Sequence, residues 1–310
     1  MTSLSRRKAI GVLAGTMAGV AVDAASAQSV KWSAGSERPN TPAPPNATDC
    51  HHHVLSKRYP LAPGAPPLED ASIDDYRLLQ KRLGTSRHVV VQSSIYGTDN
   101  SIIVDALRAF GPNARGVAVV DTSVTDAELK RLHDAGVRGI RFVLIRGNAT
   151  NVAMLKPLSQ RIDAMGWHLD IHAPADQIVA IADELNTLPS PIVFDHLGRI
   201  PQPTGADHPA FGVIRALLDK GRTWIKLSGV YQDSKVGPPS YADTSKLAAT
   251  FAKQWPERVI WGSDWPHPST NDKPDDALLF DLLAAQVPDE KARHRILVEN
   301  PAALFDFAKS

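Results

Sequence analysis

Histidine and aspartate recur in this chain at the ends of several short apolar runs. The first such place is Asp49-Cys50-His51-His52-His53. The others are Asp170-Ile171-His172, Phe194-Asp195-His196 and Gly262-Ser263-Asp264, the last followed by Trp265-Pro266-His267. Residues two apart on an extended chain point the same way. Asp49, His51 and His53 are therefore expected on one face, and Cys50 and His52 on the other. Two imidazoles roughly 6–7 Å apart along a strand can converge on one ion. Neutral imidazole and carboxylate are the usual ligands for zinc. Two histidines from one segment, one from another and an aspartate describe a single-cation centre with room for water. Cys50 is the only cysteine, which excludes both a Cys-rich zinc site and an intrachain disulfide. His52, His88, His133, His168 and His294 read as structural, and His208 as a solvated loop residue.

A second group of residues could hold an anion. Arg138, Arg141, Arg146, Arg199 and Lys226 fall near the ends of the same apolar runs. A guanidinium grips a carboxylate or sulfonate through paired donors, and Arg141 and Arg199 are the two expected to do so. Lys226 shares a strand face with Ser228 and is expected inside, paired with an anion. Gln92, Tyr96 and Tyr231 follow apolar runs closely enough to hydrogen-bond a substrate.

These residues need a scaffold that brings run ends together. From Thr48 onward, β-rich runs alternate with helical patterns. The expected strands are 48–53, 87–92, 116–121, 139–144, 167–172, 191–196, 223–228 and 258–264. Runs such as His88-Val89-Val90-Val91 are apolar throughout, as befits a parallel sheet covered on both faces. Eight parallel strands with helical crossovers close into a single-domain α/β fold, the TIM-type (β/α)8 barrel, whose sites sit at the C-terminal strand ends. An open doubly wound sheet is the rival fold, but its glycine-rich phosphate turn after the first strand is replaced here by three histidines.

The chain has 310 residues, is 43% hydrophobic and 22% charged, and carries a net charge of +1. There is no global basic field to attract nucleic acid. Residues 1–27 have the layout of a twin-arginine export signal: Arg6-Arg7-Lys8, an apolar run, then Ala25-Ser26-Ala27. Periplasmic delivery is expected. The apolar run is short for a membrane span, so no stable membrane association is expected once the signal is removed. Removal takes away three basic residues and one acidic residue, leaving 31 basic and 32 acidic, a net of −1. Residues 28–47 carry Pro39, Pro42, Pro44 and Pro45 and read as a linker, with the barrel spanning 48–310. Nothing in the composition decides against a homo-oligomer.

With these motifs in view, the chain resembles the amidohydrolase superfamily, and within it the amidohydrolase-2 branch that processes lactones. Ile225-Lys226-Leu227-Ser228-Gly229 and the closing Glu299-Asn300-Pro301-Ala302-Ala303-Leu304-Phe305 add to the likeness, which runs from about residue 46 to the end. The resemblance implies one divalent metal, expected to be Zn²⁺, held by His51, His53, His172 and Asp264. Arg141-Phe142-Val143 stands where a bridging ligand for a second metal would be. Such a cation supplies hydroxide near neutral pH, with Asp264 as the proton acceptor and His196 orienting substrate or stabilising the oxyanion. The expected reaction is hydrolytic opening of a small anionic lactone from aromatic compound catabolism, of muconolactone, sulfomuconolactone or pyrone type. Sugar-acid lactone hydrolysis, lactone isomerisation and non-oxidative decarboxylation are the alternatives on this scaffold.

Overall fold

The computed structural model describes residues 29–145 and 149–308. The export signal and Arg146 lie outside the described residues. Eight parallel strands follow in chain order: β1 (Thr48–His52), β2 (Arg87–Val91), β3 (Ala114–Ala118), β4 (Val137–Val143), β5 (His168–His172), β6 (Ile192–Phe194), β7 (Thr223–Leu227) and β8 (Val259–Trp261). Each pairs with its sequence neighbour, and helices fill the crossovers. The two ends of the sheet meet just beyond β8. There the Asp264 N–H donates to the His51 carbonyl at 2.8 Å, and the His53 N–H to the Trp265 carbonyl at 2.8 Å. This is the TIM-type (β/α)8 barrel. Gly262 permits the closure, because a Cβ there would lie 2.7 Å from the Cβ of His51 and 2.8 Å from its backbone nitrogen.

All eight expected strands are present, but β6 and β8 stop at three residues. Extended pairing ends where the chemistry-bearing residues begin. His196 and Asp264 take left-handed backbone angles, with φ of 51° and 64°, which turn them off the strand line. Sparsely populated angles of this kind persist only where surroundings enforce them, and they concentrate at functional sites.

One alternation expected from spacing is broken. The β1–β2 register shifts between Asp49 and His52, the mark of a bulge. Asp49 turns outward, accepting from Tyr76 Oη at 3.0 Å and Ser263 Oγ at 2.6 Å. Cys50 instead packs with Val89, Val91, Val117, Val193 and Ile260. Those residues fill the lower barrel, and Trp224, Phe305 and Phe307 belong to the same apolar cluster. Burying such side chains stabilises by about 1.5–3 kcal/mol each. Above this plug the interior turns polar, with Asp170, Asp195 and Lys226 fully buried.

His52 faces outward. It stacks on Tyr76 at a centroid distance of 3.5 Å, and its Nε2 lies 2.8 Å from Nδ1 of His88. Burial, with Arg77 adding to it, lowers the His88 pKa to about 3. The unfolded chain takes up a proton near pH 6.5 that the native chain refuses until about pH 3. Stability therefore falls as pH drops through that window, by about 5 kcal/mol over the whole span. We expect His88→Gln to flatten the pH dependence of the unfolding free energy by about one proton. An unchanged slope between pH 6.5 and 4 would contradict this.

Residues 29–47 do not behave as a linker. Val30 and Ala47 are buried. Arg82 donates to the carbonyls of Glu37 and Ala34, at 2.6 and 3.0 Å, and to Ser33 Oγ at 3.1 Å. Asp281 accepts from the backbone of Asn40 and Thr41, at 2.9 and 2.8 Å. The prolines prevent regular structure, yet the strap's polar backbone is satisfied by the barrel it lies on. Among the described residues, no helix is long and apolar enough to cross a membrane.

Candidate active site

At the C-terminal mouth the end of β1 meets the turn after β8. Nε2 of His51 and Nε2 of His53 each lie 3.6 Å from Asp264 Oδ1, and Nε2 of His196 lies 3.9 Å from the same oxygen. All four side chains are buried. The protonation of the imidazoles follows from their partners. His53 Nδ1 lies 2.7 Å from the Val91 carbonyl, which can only accept, so Nδ1 carries the proton and Nε2 presents its lone pair. His51 Nδ1 lies 3.4 Å from Asp195 Oδ1 and 3.3 Å from the Lys226 ammonium. Burial, aided by the Lys226 charge, pushes the His51 pKa down to about 3 despite the opposing pull of Asp195. It is a neutral ligand at physiological pH.

The donor set fits a divalent cation. His51 Nε2 is buried without a hydrogen-bond partner, a condition that carries a penalty unless something occupies its lone pair. The ligand atoms of His51, His53 and Asp264 all lie within 4.8 Å of one another. A carboxylate behind one ligating imidazole and a carbonyl behind the other is the usual outer support of such a centre. Three protein ligands leave positions open, as catalytic sites require.

His172, the fourth ligand implied by resemblance, does not join this set. Its Nδ1 lies 3.3 Å from Arg141 Nη2 and its Nε2 3.3 Å from Arg199 Nη1. A guanidinium lies at each ring nitrogen, and the ring packs edge-on against His196 at a centroid distance of 5.1 Å. His196 belongs to a second, overlapping group with His51 and Asp195. Its Nδ1 is tied to Ser228 Oγ at 2.9 Å, and burial lowers its pKa.

Asp264 is oriented on its other side. Tyr231 Oη and Gln232 Nε2 donate to Oδ2 at 2.7 and 2.8 Å, leaving Oδ1 toward the imidazoles. Burial alone would raise the Asp264 pKa, but His196, His53 and His51 outweigh it and hold it well below the usual carboxylate range.

The expected anion binders divide. Arg141 and Arg199 line a cavity of about 280 Å³ together with His53, His172, His196 and Asp264. Each guanidinium already has a carboxylate partner: Asp195 at 2.9 Å for Arg141, and Asp233 at 2.7 and 3.0 Å for Arg199. Lys226 does not reach substrate. It is fully enclosed between Asp170 at 2.5 Å and Asp195 at 3.0 Å. Burial would lower its pKa, but the two carboxylates outweigh that and raise it. Gln92 is turned away, donating to the Asp99 carbonyl. Tyr96 Oη bonds the Ser56 backbone at 2.8 and 3.1 Å. Tyr231 serves Asp264 rather than lining the cavity. Arg138 sits at the opposite end of β4, donating to the Val137 carbonyl at 2.8 Å.

Sequence reasoning missed Asp195, Gln232, Lys273 and Trp32. Asp195 was legible in principle, since it shares a strand face with the inward Val193. Lys273 and Trp32 come from irregular segments where no periodicity assigns a direction.

Barrel, buried donors and open cavity together form a mouth whose His and Asp side chains could hold a divalent metal. A family model for amidohydrolases matches residues 48–307. The chain belongs to the amidohydrolase family. It is 36% identical to a 2-pyrone-4,6-dicarboxylate hydrolase of Comamonas testosteroni, over 88% of this chain and 94% of that one. It is 34% identical to a D-galactarolactone isomerase of Agrobacterium fabrum, over 86% and 93%. It is also 34% identical to a 4-sulfomuconolactone hydrolase of Rhizobium radiobacter, over 84% and 90%. A crystal structure of an Agrobacterium tumefaciens protein in its apo form superposes with a TM-score of 0.84 at 32% identity, covering 90% of this chain and all of that one.

Proposed function

We propose that the chain is a carboxylic-ester hydrolase that opens a small anionic lactone. The observation that carries this is the single oxygen Asp264 Oδ1 facing three imidazoles at 3.6–3.9 Å on the wall of a cation-bearing cavity. Two relatives above 30% identity with hydrolase names of this kind support it. The names also bring an acidic ring from the breakdown of aromatic compounds within the expected substrate class. Periplasmic delivery by the segment 1–27 belongs to the same reading.

Ring opening adds one water across the ester. The water oxygen bonds to the carbonyl carbon, the ring C–O bond breaks, and a hydroxyl and a carboxylic acid result, the acid then releasing its proton to solvent as a carboxylate. Asp264 accepts the water proton and returns it to the departing ring oxygen, which stays tethered. A divalent cation at His51, His53 and Asp264, in this reading Zn²⁺, would supply Lewis-acid polarisation of water and of the ester carbonyl. His196, fixed by Ser228, borders the same space and orients the carbonyl oxygen. Arg141 and Arg199, kept in place by Asp195 and Asp233, attract the acidic group of the substrate.

Dialysis against EDTA should lower lactone hydrolysis at least tenfold, and one equivalent of a divalent ion per chain should restore it. Full activity in protein shown by metal analysis to hold under about 0.1 equivalent would contradict the metal assignment. The isomerase relative supports a second reading, ring-size exchange without water. Solvent-oxygen incorporation separates the two.

A further inference from the structure

Among the described residues three cations line the cavity, and two of them are committed. Arg141 and Arg199 are ion-paired, whereas Lys273 has no carboxylate partner among the described residues. Its ammonium has three donors. Two are used on backbone carbonyls, those of His267 at 2.8 Å and Thr270 at 2.6 Å. Those bonds fix the ammonium at the cavity wall and leave one donor over. The Trp32 ring lies beside it, with the Lys273 ammonium 5.5 Å and the Lys31 ammonium 4.8 Å from the ring centroid.

Trp32 reaches the cavity because the N-terminal strap is pinned there. Trp265 Nε1 donates to the Lys31 carbonyl at 2.8 Å, and Trp32 Nε1 to the Asp70 carbonyl at 3.2 Å. The Ala34 N–H donates to the Pro274 carbonyl at 3.0 Å, and the Asp276 N–H to Ser33 Oγ at 3.2 Å. Buried Arg82 grips the next turn of the strap. Trp32 itself takes a φ of 67°, an outlier for a bulky side chain. The surroundings enforce a disfavoured backbone, and the outcome is an indole half-buried in the cavity wall.

We propose that Trp32 and Lys273 form a substrate subsite in the cavity that Arg141 and Arg199 also line, in which a flat ring lies along the indole and a ring carboxylate meets the Lys273 ammonium. The strap ahead of the barrel is then part of the active site and selects planar, conjugated acids over puckered ones. This deepens the lactonase reading and rests on the same cavity. An aromatic face prefers a flat partner by stacking, and the cation adds an attraction that puckering does not remove.

The test is calorimetric binding to the full chain of two probes that carry no ester, benzene-1,3-dicarboxylate and cyclohexane-1,3-dicarboxylate. Both have two carboxylates, but only one is flat. The parent should bind the flat probe more tightly. Trp32→Leu should weaken the flat probe about three- to tenfold and leave the puckered one within twofold. Trp32→Phe should restore most of the difference. Lys273→Gln should weaken both probes several-fold. Unchanged binding in Trp32→Leu, equal loss for both probes, or no binding of the flat probe by the parent would overturn the proposal. A protein that shows the expected binding yet opens no lactone would retain the subsite and lose the reaction. A protein that opens lactones with Trp32→Leu indifferent to ring shape would lose the subsite alone.

Discussion

Replacing Asp264 with asparagine should lower kcat for the cognate lactone by about 10³-fold, within the range that a positioned general base contributes. Asparagine is nearly isosteric and keeps one oxygen for the imidazole cluster. It takes away the acceptor that the surroundings hold ionised. Tyr231 and Gln232 fix Oδ2 by donating to it, so Oδ1 is the oxygen available to a water proton. Substrate contacts at Arg141, Arg199 and the cavity wall are untouched, so KM should move less than threefold. Single-turnover kinetics at saturating substrate reads the effect free of product release. A parental rate in the variant would remove Asp264 from the chemistry.

Lys226→Met should destabilise the fold by about 3–5 kcal/mol, the usual result of removing one partner from a buried ion network. The ammonium lies between two fully buried carboxylates, Asp170 and Asp195. Without it they confront one another in the barrel core, and one must take a proton. Asp195 is also the partner of Arg141 and of His51 Nδ1, so the cluster at the mouth should loosen as well. The denaturant midpoint should fall, and Tm with it by roughly 10 °C for a domain of this size. Adding Asp170→Asn removes the surplus charge and should recover part of the loss, because residues in one network do not act additively. A single variant within 1 kcal/mol of the parent would show that the interior charges are not arranged as described.

The barrel was legible because its signal repeats. Apolar runs such as His88–Val91 alternate with helical stretches eight times, and parallel strands need those crossovers. His51 and His53 were legible because period-two spacing survives at the top of β1. The same rule failed two residues earlier, where a bulge turns Asp49 outward to Tyr76 and Ser263, and no sequence pattern announces that bulge. His172 was placed by resemblance, and its two guanidinium neighbours come from β4 and from the turn after β6, distant in sequence. Lys226 was expected inside, as found, but its partners, Asp170 and Asp195, are the protein's own carboxylates rather than a substrate. The strap over residues 29–47 looked like a linker because proline and polar residues also mark linkers. What fixes it is the Arg82 guanidinium and the Asp281 carboxylate on the barrel, and composition carries no record of them.

Ring opening in water enriched in ¹⁸O, followed by mass spectrometry of the isolated acid, measures the reaction itself. Water held against Asp264 should place a single heavy oxygen in the newly formed carboxylate of every turnover. A product that gains no heavy oxygen while the lactone is consumed would mean that the site rearranges its ring instead of hydrolysing it.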